Sequence, residues 1–307
     1  TNATGLSSAL KPTIDILYEA ENVELVALYG PEHGARGEIA AGDKVDDYVD
    51  PVTQVPVYSL YGKTRKPTKE MLENVDVLVY DIQDIGVRSY TYISTMGLAM
   101  EAAAEHDIDF VVLDRPNPLG GNKIEGNIAE EGYFSFVSQY PIPYVYGMTP
   151  GEVAILINEE GWLGEGKKVN LTVVEMEGWN RSMTFEETGL QWVPTSPHIP
   201  HANSAYFYVS TGIMGELGVF SEGVGYTLPF QVFAAEWIDE RKLSENMNAL
   251  NIPGVEFRPI VFKPFYGRDQ GKTLHGVQIH FSDYTQAHLM SLQYYFMQVH
   301  KEMYPEI

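Results

Sequence analysis

The sequence predicts an α/β protein: a doubly wound domain on a parallel sheet, followed by a second α/β domain with a mixed sheet. Three observations predict it. In the first half, helical patterns lead into apolar runs three times over; those runs lack alternation; and the character of the chain changes near residue 140. Runs of Val, Leu and Ile without a two-residue period suit strands covered on both faces, as in a parallel sheet flanked by helices.

Taken in order, "SSALKPTIDILYEAENV" has helical spacing and leads to "VELVALYG"; "KPTKEMLENV" leads to "DVLVYDIQD"; and "TYISTMGLAMEAAAEHDI" leads to "DFVVLDRPNP". Each pair reads as a helix and then a strand. "TPGEVAILINEEGWL" predicts a helix with Thr149 as N-cap, Pro150 at the first position and Glu152 at N3, a capping box. Beyond it "VNLTVVEM", "EFRPIVFKPF" and "HGVQIHF" read as strands, and "PFQVFAAEWIDERKLSENMNAL" and "YTQAHLMSLQYYFMQVHKEM" as helices. The expected domains are therefore 1–140 and 141–307. No internal repeat or low-complexity segment occurs.

Composition narrows the function classes. The chain of 307 residues is 44% hydrophobic, enough for a real core, with 20 Lys plus Arg against 42 Asp plus Glu and a formal charge of -22. Such a charge repels nucleic acid and anionic membrane surfaces, and the nearest basic stretch, "YGKTRKPTKE", reads as a solvated turn. With no cysteine, disulfides, thiolate metal sites and cysteine nucleophiles are excluded, and an oxidising compartment is compatible. No apolar run of about 18 residues predicts a membrane span. The chain starts at "TNATGLSS" without a signal peptide, so a targeting segment is expected to have been removed or never present.

Ligands of an open parallel sheet bind outside the carboxyl ends of its strands. There "LYGPEHGARG" places Glu32, His33 and Arg36; "YDIQDIGVRSYTY" places Asp81, Gln83, Asp84, Arg88 and Tyr92; and "LDRPNPLGG" places Asp114, Arg115 and Asn117. Glu32, between Pro31 and a glycine-flanked turn, has the firm backbone an acid catalyst needs. Carboxylates from different strand ends suit glycoside hydrolysis, which uses an acid and a second carboxylate several ångströms apart, so Asp81, Asp84 and Asp114 are candidates for base, nucleophile or charge stabiliser. Arg36, Arg88 and Arg115 would clamp an anionic substrate group; the alternative is that each neutralises a neighbouring aspartate, Arg88 with Asp84 or Asp81.

A metal-dependent hydrolase built on His33, Asp81, Asp84 and Asp114 competes with this reading, but the H-x-x-x-H and H-E-x-x-H spacings are missing, and no metal is expected. His275 and His280 lie in strand patterns and read as structural. "LGGNKIEGN" and "SEGVGYT" lack the spacings of dinucleotide or phosphate loops, and no G-x-S-x-G elbow exists, so neither a cofactor nor a serine nucleophile is expected.

"YGPEHGARGEIAAGDKV", "VYDIQDIGVRSYTYISTM", "VLDRPNPLGG" with "IEGN", and "PIPYVYGMTPGE" together resemble the exo-acting β-N-acetylmuramidase family of the NamZ type, along nearly the whole chain. The resemblance implies a Rossmann-like N-terminal domain, a smaller C-terminal domain and a site in the cleft between them. It also implies release of N-acetylmuramic acid from non-reducing ends of peptidoglycan fragments by an exported or envelope-associated bacterial enzyme, with wall-derived amino sugars as its partners. A non-catalytic wall-sugar binder is the alternative, since 20 tyrosines would stack on sugar rings equally well. Two departures stand out. A strand that commonly precedes "TN-x-TG" in the family is not in the sequence. In 211–228, Ser221, Glu222, Gly223 and Gly225 match the family's Asn-Leu-Ser-Glu-Gly-Arg-Gly-Thr, but Val224 replaces its arginine and Tyr226 is inserted before Thr227. Glu222 is the substrate-binding candidate of that loop.

Overall fold

The computed structural model describes residues 1–37 and 46–307. The chain divides into two compact units, Thr1–Ala202 and Asn203–Ile307.

Among the described residues, the first unit carries two three-stranded sheets. In one, β1 (Leu28–Gly30) pairs in parallel with β3 (Pro56–Ser59), and β2 (Tyr48–Val49) pairs with β3 in antiparallel fashion. In the other, β4 (Val77–Tyr80), β5 (Asp109–Leu113) and β6 (Leu171–Val174) run parallel in that order. Helix α1 (Thr13–Glu19) precedes β1, α2 (Tyr92–Glu105) links β4 to β5, and α3 (Pro150–Glu159) lies between β5 and β6. The core gathers on the second sheet, where Leu78, Phe110 and Val112 meet Ile93, Met96 and Met100 of α2 and Val153 and Ile157 of α3. Non-local apolar contacts of this kind, more than the short strands themselves, hold the layers together.

α2 is rich in Ala, the best helix former, and closely approached at Gly97, where an added Cβ would lie 1.6 Å from the Tyr140 hydroxyl. α3 has the expected capping box: Thr149 Oγ1 accepts from Glu152 N at 3.2 Å while Thr149 N donates to Glu152 at 3.0 Å. The segment "KPTKEMLENV", expected to be helical, forms only turns. β1 and β4 are not paired with each other. Between them lies an apolar cavity of about 450 Å³ lined by residues including Leu17, Leu25, Leu28, Val75, Leu78 and Phe110.

The boundary expected near residue 140 falls instead at Ala202, because β6 adds in parallel to β5, Phe110 opposite Leu171 through Leu113 opposite Val174, and so ties residues 141–202 to the first unit. In the second unit, β7 (Val232–Ala235), β9 (Leu274–Phe281) and β8 (Val255–Phe262) form an antiparallel sheet in the order β7-β9-β8, where a mixed sheet was expected. Helices α4 (Ser204–Glu216), α5 (Glu240–Ala249) and α6 (Ser291–Met303) complete it. The stretch expected to be one helix from Pro229 is β7 followed by α5, the latter capped by the Asp239 carboxylate, which accepts from Arg241 N and Lys242 N at 3.1 and 3.0 Å. The Phe233 and Phe296 rings stack 4.4 Å apart, joining β7 to α6.

Candidate active site

The carboxyl end of β1 turns sharply. Gly34 N donates to Pro31 O at 3.0 Å, an added Cβ on Gly30 would meet Ala35 N at 2.9 Å, and His33 sits at φ 74°, left-handed backbone that a non-glycine residue holds only under tertiary constraint. This turn carries Glu32 half-buried and His33 buried. The Thr91 hydroxyl, from the turn that opens α2, donates to Glu32 Oε2 at 3.1 Å. The loop after β4 thereby meets the loop after β1, as the strand-end reading expects.

A third segment joins them. The Tyr90 hydroxyl donates to Thr195 Oγ1 at 2.8 Å and the Tyr92 hydroxyl donates to Thr195 O, so 195–198 packs on the loop after β4. Burial, and then the nearby His33, lowers the pKa of His198. Thr91 and His198 are neighbours of the candidate site that sequence reasoning did not single out. Thr91 looks like an ordinary helix-start threonine, and the only signal for His198 is its place in the proline-rich loop "VPTSPHIP".

Several candidates are bound into the fold. Asp81 is 2% exposed and both its oxygens are engaged: Arg115 Nε donates to Oδ1 at 2.5 Å and Thr13 Oγ1 to Oδ2 at 2.5 Å. Arg115 also donates to Leu6 O at 2.9 Å. Asp114 reaches the start of α3, accepting from Gly151 N at 2.7 Å and from Thr149 Oγ1 at 2.8 Å; burial raises its pKa. It serves as a second cap, where a carboxylate also complements the helix dipole. Arg36 grips Asp50 through Nε at 2.6 Å and Nη2 at 2.9 Å, and reaches Asp15 at 3.2 Å. That pairing holds Asp50 well below the usual carboxylate range.

The remaining candidates follow the same physics, in which buried polar groups find partners. Gln83 is buried and donates to the carbonyls of Asp84 and Pro116, both at 2.7 Å. Asn117 donates to Met148 O at 2.9 Å and accepts from Leu119 N at 2.9 Å. Tyr92, expected to touch substrate, is the first residue of α2, 1% exposed and packed edge-on to Tyr90 with centroids 5.0 Å apart. Glu222 lies in the second unit, 3.7 Å from Arg268, with its pKa raised by burial. His275 pairs with Glu240 at 3.0 Å. Among the described residues no three His, Cys, Asp or Glu side chains are grouped so as to hold a metal ion.

Two groups keep properties beyond architecture. Asp84 is 2% exposed; its Oδ2 accepts from Gly86 N at 2.7 Å and from the Tyr146 hydroxyl, and burial pushes its pKa up to about 6. Arg88 forms no ion pair with Asp81 or Asp84, contrary to the neutralising alternative; its Nη1 donates to Asn127 O at 2.7 Å and to Ile142 O. Its guanidinium lies 5.8 Å from the Tyr144 ring centroid, and burial lowers its pKa.

Residues 1–203 match the family model for the N-terminal part of exo-β-N-acetylmuramidase NamZ, and residues 206–307 match the C-terminal part. The chain belongs to the NamZ family. It is 48% identical over 306 residues to the peptidoglycan β-N-acetylmuramidase NamZ of Bacillus subtilis strain 168, an alignment covering all of this chain and 73% of that NamZ. A crystal structure of a DUF1343 family protein from Bacteroides fragilis superposes with a TM-score of 0.94 at 59% identity, covering 99% of this chain and 77% of the other. A second DUF1343 family protein from the same organism gives 0.72 at 33% identity, covering 90% and 69%. The two NamZ family models meet where the two compact units do, at residues 202–206.

Proposed function

We propose that this chain is a glycosidase that releases N-acetylmuramic acid from the non-reducing ends of peptidoglycan fragments, with Glu32 as the proton donor to the departing sugar. The observation that carries the catalytic assignment is the disposition of the strand-end carboxyls. Asp81 and Asp84 are each 2% exposed and Asp114 is tied to the start of α3, whereas Glu32 stays half-buried on a rigid turn at the end of β1, where it accepts from Thr91. A general acid must reach the glycosidic oxygen, and Glu32 keeps the exposure to do so. Membership of the NamZ family, whose Bacillus relative is named for cleavage at N-acetylmuramic acid in peptidoglycan, supports the substrate class.

The test is hydrolysis of a chromogenic N-acetylmuramic acid glycoside by the wild type and by Glu32→Gln. Glutamine keeps the size and the acceptor for Thr91 but has no transferable proton, so turnover should fall roughly 10²-fold or more. The loss should shrink when the leaving group is strongly activated and needs less protonation. A folded variant with near-normal turnover on a poor leaving group removes Glu32 from the mechanism. Sugar binding by the wild type without release across a broad pH range assigns the chain as a binder instead.

A further inference from the structure

Of the three arginines at the strand ends, two are neutralised within the fold. Arg36 is held by Asp50 and Asp15, and Arg115 by Asp81. Arg88 differs. It is 9% exposed, has no carboxylate within ion-pair distance among the described residues, and its Nε is buried without a hydrogen-bond partner. Its two protein contacts, Asn127 O and Ile142 O, both fall on Nη1, leaving Nη2 without a protein acceptor among those residues.

A guanidinium stays charged at any physiological pH, and taking it out of water without a counter-charge is unfavourable. Carbonyl oxygens offset part of that cost and hold the group rigidly, but they do not cancel its charge. A fixed, largely desolvated cation whose Nη2 has no protein acceptor among the described residues is thus already arranged for an anion, and a carboxylate is an acceptor that suits it. The same loop supplies Thr91, the residue hydrogen-bonded to Glu32, three positions further on. N-Acetylmuramic acid differs from N-acetylglucosamine by a lactyl ether ending in a carboxylate, and a protein of charge -22 repels that group unless positive charge is offered locally.

We propose, building on the glycosidase reading, that Arg88 binds the lactyl carboxylate of the substrate and is the residue that makes the site select muramic over glucosamine sugars. The clasp on Asn127 and Ile142 presents the guanidinium; the charge does the selecting.

Three matched aryl glycosides test this: N-acetylmuramic acid, the same sugar with its lactyl carboxylate converted to the amide, and N-acetylglucosamine. Wild type should favour the acid over its amide by roughly 30-fold or more in kcat/KM, in line with the loss of one partner from a buried charge pair. Arg88→Gln keeps an amide donor for the loop carbonyls and removes the charge, so it should lose most of that preference, read as the ratio of kcat/KM on the acid to that on the amide. The wild-type comparison needs no variant and stands if Arg88→Gln fails to fold. If wild type cleaves none of the three, the glycosidase reading fails, and calorimetric binding of free muramic acid and glucosamine sugars still decides the arginine: equal affinities overturn its role. Equal loss on all three substrates in a folded variant, or a wild type indifferent to the amide, reduces Arg88 to a loop clasp.

Discussion

Asp81 and Asp84 stand three residues apart in one loop, and both read from sequence as candidate catalytic carboxylates. The structure gives Asp81 an arginine and a threonine and gives Asp84 a turn amide and a tyrosine. The turn role of Asp84 was legible, since a short acidic side chain two residues before a glycine commonly closes on its own backbone. The saturation of Asp81 was not, because Thr13 and Arg115 lie 68 and 34 residues away in the chain. Asp84 carries a pH signature. Its folded pKa of about 6 lies above the ordinary carboxyl value of about 3.9, so the folded state holds the proton more tightly than the unfolded chain. The stability linked to this group is therefore full below about pH 4 and is lost as pH rises through about 6, a difference of about 3 kcal/mol for about two units. Urea unfolding of wild type and Asp84→Asn between pH 4 and 7 should show the variant gaining on wild type across that interval. A constant offset at every pH would mean that the buried carboxyl titrates normally.

At the scale of elements, legibility followed local signals. The start of α3 was readable to the residue, because Thr149, Pro150 and Glu152 each have a stereochemical reason to stand where they do. β7 was read as helix for an equally physical reason. All four of its residues are buried, so no alternation marks it as a strand, and Phe, Ala and Glu nearby imitate a helical face. Its pairing with β9 depends on Gly276, where an added Cβ would lie 2.0 Å from Phe233 O, a contact no local pattern announces. Thr149 links two elements, since it caps α3 and donates to Asp114 at the end of β5. Thr149→Ala should lower stability by about 1–2 kcal/mol, the upper range for a lost N-cap, read as a reduced urea midpoint at unchanged slope. An unchanged midpoint would show that the Asp114 carboxylate alone suffices for the helix start.

For the molecule as a whole, fold class, acidity and the clustering of polar groups at strand ends were all visible in one sequence, whereas the division into units was not. The boundary depends on which sheet β6 joins, and "VNLTVVEM" gives the same strand signal whether it pairs with β5 or with β9. The site inherits the same limit: sequence could gather carboxylates and arginines at strand ends, but only pairing across the fold shows that Asp81 meets Arg115 and Thr13, Asp114 meets the start of α3, and Glu32 meets Thr91. The close approach at Gly97 has a practical consequence for anyone stabilising the protein. Alanine is the better helix former by about 1 kcal/mol, so a glycine inside a helix is an obvious target for replacement. Here the added methyl would run into the Tyr140 ring, and overfilling a packed core costs about 1–3 kcal/mol. Gly97→Ala should therefore lower the melting temperature, and Tyr140→Phe, which removes the hydroxyl in the way, should restore part of the loss. A melting temperature raised by Gly97→Ala alone would show that the ring steps aside without cost.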